Sequence, residues 1–138
     1  MTHTPIVGLD HISVRVRDLK AARKFYQAAL GAVGMKVNAD YGSAFAMGSK
    51  QQKIFWLERD RLSSGRGHYA FTVRHREEVD AFHNAALEAG GTDHGAPGLR
   101  PDYGRNYYAA FVKDREGNNI EVVCYEPPRR RALSRRKR

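Results

Sequence analysis

From residue 11 the chain alternates strictly, Ile12, Val14 and Val16 apolar against His11, Ser13 and Arg15. A period of two predicts a strand with one face for a core and one face for something else. Leu19, Ala22, Phe25, Tyr26 and Ala29 then fall on one helical stripe behind Asp18, a good N-cap, which predicts a helix over 18–30. The same succession returns further along. Tyr69, Phe71 and Val73 alternate with His68, Ala70 and Thr72, and Val79, Phe82, Ala86 and Ala89 form a stripe over 76–89 that Gly90-Gly91 stops. Shorter strand patterns follow each helix, near 35–39, 43–48 and 53–58, then near 92–94, 106–113 and 119–125. Asp114-Arg115-Glu116-Gly117-Asn118 reads as a hairpin turn, with Gly117 suited to positive φ. Residues 92–106, broken by Pro97 and Pro101, read as an irregular loop walling or covering a cavity.

The recurrence is visible residue by residue. Shifted by 57 positions, residues 11–34 match residues 68–91 at nine of 24 sites, including His11/His68, Phe25/Phe82 and Gly34/Gly91. Chance gives about one or two. Shifted by 66, Ala44-Phe45 meets Ala110-Phe111 and Ile54 meets Ile120. The chain therefore reads as two copies of a strand–helix–strand–strand–strand unit, about 8–58 and 65–126, within one domain over 1–128. The class is α+β. Each helix covers one sheet face, and the other face is left for a cavity or a partner.

Charge changes this picture little. The 138 residues carry 24 Lys and Arg against 15 Asp and Glu, a net +9, which by itself suggests a nucleic-acid binder. Seven of the basic residues lie in 129–138, RRRALSRRKR, so the remainder holds 17 against 15 and is nearly neutral. The tail reads as a solvated, disordered appendage behind Pro127-Pro128, and nucleic-acid contact by it is the minority alternative. A 41% hydrophobic content supports a packed core. No apolar run reaches the roughly 20 residues of a membrane span, and no signal-peptide pattern opens the chain. Cys124 is the sole cysteine, which excludes an intrachain disulfide and a cysteine-rich zinc site. A cytoplasmic protein without membrane contact is expected.

At LDHISVRVRDLKAARKFYQAALG, GHYAFTV and DREGNNIEVV the chain resembles the vicinal oxygen chelate superfamily, which holds glyoxalase I, bleomycin-resistance proteins and extradiol dioxygenases. The resemblance runs from Gly8 to Glu126. It implies a glyoxalase-like fold, two βαβββ units forming an open, cavity-enclosing barrel, often in a homodimer. It also implies a divalent metal, Fe, Mn, Ni or Zn, with His11, His68 and Glu121 as its ligands. The residue pattern agrees. Ile120, Val122 and Cys124 make the apolar set of their strand, so Glu121 points to the cavity side, as do His11 and His68. Two imidazoles and a carboxylate suit such metals.

The offset of 66 puts Phe55 where the second unit has Glu121, so a fourth ligand is missing. Glu58, three residues on, would face the other way unless a bulge intervenes. The resemblance implies an enzyme acting on a small substrate with two adjacent oxygens, either a glyoxalase-like lyase or isomerase or an extradiol-type dioxygenase. Glu121 would then be ligand and, in lyase chemistry, catalytic base, unless Glu58 is recruited. Three ligands with open positions match the dioxygenase pattern more closely. The alternative is a metal-free protein that binds a small molecule, as the resistance proteins do. His3, His75, His83 and His94 lack repeat partners and read as surface residues. Arg15 shares the face of His11. Gly65-Arg66-Gly67 reads as a turn. Phe55, Trp56 and Leu57 suit a cavity wall or the core equally, and one of Tyr103, Tyr107 and Tyr108 is a candidate pocket residue.

Overall fold

The structure, a computed structural model, describes residues 5–130; His3 and most of the basic tail lie outside them. The first unit runs β1 (Ile12–Val16), α1 (Leu19–Ala29), a single 3₁₀ turn at Gly31–Val33, β2 (Lys36–Asp40), β3 (Ala44–Gly48) and β4 (Phe55–Arg59). The second runs β5 (His68–Val73), α2 (Arg76–Glu88), β6 (Thr92–Leu99), β7 (Tyr108–Lys113) and β8 (Asn119–Cys124). Each unit makes a four-stranded sheet, in the orders β1-β4-β3-β2 and β5-β8-β7-β6. In both, the strand before the helix pairs in parallel with the last strand, and the other pairings are antiparallel. The two orders superimpose, as the repeat requires.

Local chemistry explains the elements. The Asp18 carboxylate accepts from the Ala21 amide at 3.0 Å and starts α1. At α2 the N-cap is His75, and the Glu78 side chain returns to its amide at 3.0 Å as one arm of a capping box. Gly117 has φ +96, and Asp114 collects the turn around it by accepting from the Glu116 and Asn118 amides and the Asn118 side chain. One stretch differs from the expected loop. Residues 92–99 are a strand, β6, whose pairing with β7 shifts register between Asp93 and Gly95 and again between Gly95 and Gly98. Those irregularities accommodate Pro97, which has no amide to give a ladder.

Both apolar faces meet in one core. Phe55 of β4 packs edge-on against Tyr26 of α1 and against Phe71 of β5, each at 5.3 Å between centroids. The Tyr26 hydroxyl donates to Asp114 of the second unit. Phe25, Tyr26, Phe55 and Phe82 are wholly or almost wholly buried, and each contributes roughly 1.5–3 kcal/mol of apolar burial or more. A second tie joins the units at the surface. The Glu116 carboxylate accepts from the Arg17 and Asp18 amides at 2.7 and 3.2 Å. The helix-side faces of the sheets thus share one interior, and each open face looks outward from it.

Candidate functional site

The open face of the second sheet carries the denser chemistry. His68 begins β5, and Glu121 lies on the neighbouring β8, opposite Ala70. The imidazole and the carboxylate meet, with His68 Nε2 at 3.1 Å from Glu121 Oε1. Glu121 is 2% exposed, whereas the His68 side chain is half exposed. The Tyr107 hydroxyl donates to Glu121 Oε2. Burial, and then this bond to Glu121, raises the Tyr107 phenol well above its ordinary value, so it remains a donor at neutral pH. The Phe111 ring lies against His68 at 6.2 Å, nearly parallel.

The tautomer of His68 follows from its partners. His68 Nδ1 lies 3.0 Å from the carbonyl oxygen of Asn119, which can only accept, so Nδ1 carries the proton. In the neutral ring Nε2 is then a bare lone pair facing a carboxylate oxygen. Two such atoms at that distance repel unless a cation, a proton or a metal, sits between them.

On the first sheet His11 stands at the edge of β1, and its Nδ1 is 2.7 Å from Asp10 Oδ1. That contact also leaves Nε2 free for another partner. His11, Ser13, Trp56 and Glu58 line a cavity of about 830 Å³ walled by the 51–54 loop. Gly48 lets that loop fold back, because a Cβ there would lie 1.7 Å from the Gln52 carbonyl oxygen. The Asn38 amide holds the loop from beneath by donating to the Lys50 and Gln52 carbonyls at 3.2 and 2.9 Å.

The pairing register corrects the expected alignment at one place. Trp56 pairs with Ser13 as Glu121 pairs with Ala70, so Trp56, and not Phe55, is the counterpart of Glu121. Phe55 and Leu57 belong to the core, and Trp56 and Glu58 share the open face with His11. Glu58 needs no bulge to reach the cavity. An offset of 65 rather than 66 relates these strands, and one residue of slip exchanges the two faces.

The structure brings His68 and Glu121 together and leaves His11 on the other sheet. Among the described residues no three possible ligands converge within one chain. Tyr107 is the member that spacing alone did not single out from its neighbours; Tyr108 instead donates to Asp80 at 2.7 Å. His83, expected at the surface, is buried against Asp93 at 3.0 Å. Arg15 is a surface residue near Asp60, and Cys124 is buried. His94 is exposed on β6. No helix among the described residues is long and apolar enough to cross a membrane.

Comparison with known proteins supplies a frame for this geometry. The family model described as Glyoxalase/Bleomycin resistance protein/Dioxygenase superfamily matches residues 8–122. A glyoxalase/bleomycin resistance protein from Albidiferax ferrireducens is 29% identical, with 86% of this chain and 98% of that one covered and a TM-score of 0.73. A lactoylglutathione lyase from Agrobacterium tumefaciens is 20% identical over 87% of this chain and 95% of its own, with a TM-score of 0.66. A glyoxalase-related enzyme from Fulvimarina pelagi is 18% identical, covers 86% and 88%, and has a TM-score of 0.70. The last two likenesses speak for the fold alone. No curated protein matches the chain.

Proposed function

The chain belongs to the Glyoxalase/Bleomycin resistance protein/Dioxygenase superfamily, and on that premise we propose that it is a divalent-metal-dependent enzyme acting on a small molecule with two adjacent oxygens. His11, His68 and Glu121 would hold the metal. One observation carries the reading: Nε2 of His68 faces Glu121 Oε1 at 3.1 Å, while its Nδ1 is committed to a carbonyl. Two imidazoles with one carboxylate are donors suited to Zn, Ni, Mn or Fe(II). When bound, such a metal polarises the paired oxygens of a substrate and stabilises negative charge that develops on them.

The protein's own groups prepare that chemistry. Tyr107 holds Oε2 of Glu121, which fixes the carboxylate with Oε1 toward His68. Asp10 orients His11 in the same manner. Glu58 gives the cavity a carboxylate outside the ligand set. A lyase or isomerase of this type needs a base for the proton next to a carbonyl, and a Glu58 carboxylate oxygen can take it. Glu121 therefore need not serve as both ligand and base, and lyase or isomerase chemistry stands beside dioxygenase chemistry as an equal form of the proposal.

Assembly is the remaining requirement. Because the two open faces look outward from a shared core, the ligand set is completed when the second sheet of one copy covers the first sheet of another. We propose a homodimer with two such composite sites. Protein purified without chelator is expected to hold about one divalent ion per chain by elemental analysis. His11→Ala, His68→Ala and Glu121→Gln are each expected to abolish it. Undiminished metal in any of the three overturns the ligand assignment.

A metal-free binding protein is the second reading. It is favoured by the saturation of Glu121, whose two oxygens already meet Tyr107 and His68. Ligand binding without turnover, unchanged by Glu121→Gln, would establish it instead.

A further inference from the structure

The repeat places an aromatic ring where its own symmetry calls for a carboxylate. Trp56 occupies on β4 the position that Glu121 occupies on β8, and it opens onto the cavity that holds His11 and Glu58. Tyr41 lies parallel to it, 5° between planes and 5.9 Å between centroids. Tyr41 is 72% exposed and sits at the tip of the β2–β3 hairpin, beside Gly42 with φ +86. A large exposed aromatic ring at a hairpin tip does little for the core. A ring held between two others needs about 7 Å, twice the optimal carbon–carbon separation. Movement of the hairpin tip away from the indole would therefore turn the pair into a clamp.

We propose that Trp56 and Tyr41 form a stacking site for a flat, conjugated molecule bearing a hydrogen-bond-donating or cationic nitrogen, anchored by the Glu58 carboxylate. Glu58 follows Trp56 by two residues on the same strand face, so a ring on the indole brings its edge toward the carboxylate. Among the described residues Glu58 makes no ion pair. Asp10 and Glu58 against Lys53 give the cavity a slightly negative lining, which disfavours anions. The volume of about 830 Å³ admits a two- or three-ring molecule. The proposal deepens the reading of this cavity as a substrate site, yet the clamp itself needs no metal.

Trp56 is the only tryptophan, so its indole N–H gives a single NMR signal that reports on this site alone. The probe is 4-aminoquinoline, with cyclohexylamine as a saturated amine and 2-naphthoate as a flat anion. Each is titrated into the native protein and into chelator-treated protein. A saturable shift of the indole signal by 4-aminoquinoline in both preparations is expected, with binding by the other two at least tenfold weaker. Tyr41→Ala should weaken 4-aminoquinoline about tenfold, and Glu58→Gln should remove its advantage over 2-naphthoate. Trp56→Leu is followed through the probe's own proton signals, with the amide spectrum checking that the fold persists. Cyclohexylamine binding as well as the quinoline, no saturable shift, or full affinity in Trp56→Leu overturns the clamp. A shift confined to metal-loaded protein also overturns it. A shift without any metal content upholds the clamp and removes the metal reading, and metal content without a shift does the reverse.

Discussion

Glu121 is a carboxylate with 2% exposure in the face of a sheet, and such a charge is tolerable only when its oxygens are occupied. Tyr107 and His68 occupy them. Tyr107→Phe is expected to lower stability by about 1–3 kcal/mol in urea unfolding and to weaken metal retention without abolishing it. Tyr108 makes a separate prediction about pH. Burial, and then its bond to Asp80, push its phenol from 10.0 up to about 12. A raised value means that the folded state holds the proton more tightly than the unfolded chain does. The resulting stabilisation is complete below about pH 10 and is lost as pH rises toward 12. Unfolding midpoints between pH 9 and 12 should therefore fall, and Tyr108→Phe should flatten that fall. The histidines were legible at this scale because the repeat marks them twice. Tyr107 was not, since three tyrosines cluster at 103–108 and only the register of β7 decides which one reaches Glu121. Trp56 and Phe55 were exchanged for a related reason. An alternating strand is read by parity, and the identities at an offset of 66 lie one residue away from the offset of 65 that the pairing gives both for β3 with β7 and for β4 with β8.

Between elements, a few polar groups do what the apolar pattern cannot. Asp114 gathers the 114–118 turn and accepts from Tyr26 across the unit boundary. Burial first, and Asp114 second, keep the Tyr26 hydroxyl protonated. Asp114→Ala leaves that hydroxyl and the Asn118 groups without partners. It should cost about 3 kcal/mol, measurable as a lower midpoint of chemical unfolding. Gly48→Ala should displace the 51–54 loop, because the added carbon would overlap the Gln52 carbonyl. A shift of the Trp56 indole signal together with a stability loss of about 2 kcal/mol or more is the expected result. Sequence pattern found both helices and all but one of the strands closely, since each has a clear period and a cap. It stopped short at β6, where Gly95, Pro97 and Gly98 break the alternation and the strand exists only through bulged pairing with β7.

The molecule as a whole is a duplicated sheet-and-helix unit folded helix side inward. That arrangement accounts for what the repeat left undecided. His11 and His68 occupy equivalent positions, yet equivalence in a duplication does not bring two residues together. Phe55 packing against Phe71 buries the helix-side faces in one core, which directs the faces that carry His11 and His68 away from it. Most of the excess basic charge lies in the tail, largely outside the described residues. In the proposed homodimer a second copy closes the site, and the proposed ligands are divided between chains. Recombining two inactive chains tests this division most directly. His11→Ala protein and Glu121→Gln protein, each unable to hold metal, are mixed in equal amounts, unfolded and refolded together. Random pairing makes half of the dimers mixed, and each mixed dimer has one intact site out of two. Metal content should return to about a quarter of the native level. No recovery, with both variants folded and dimeric, would contradict the composite site.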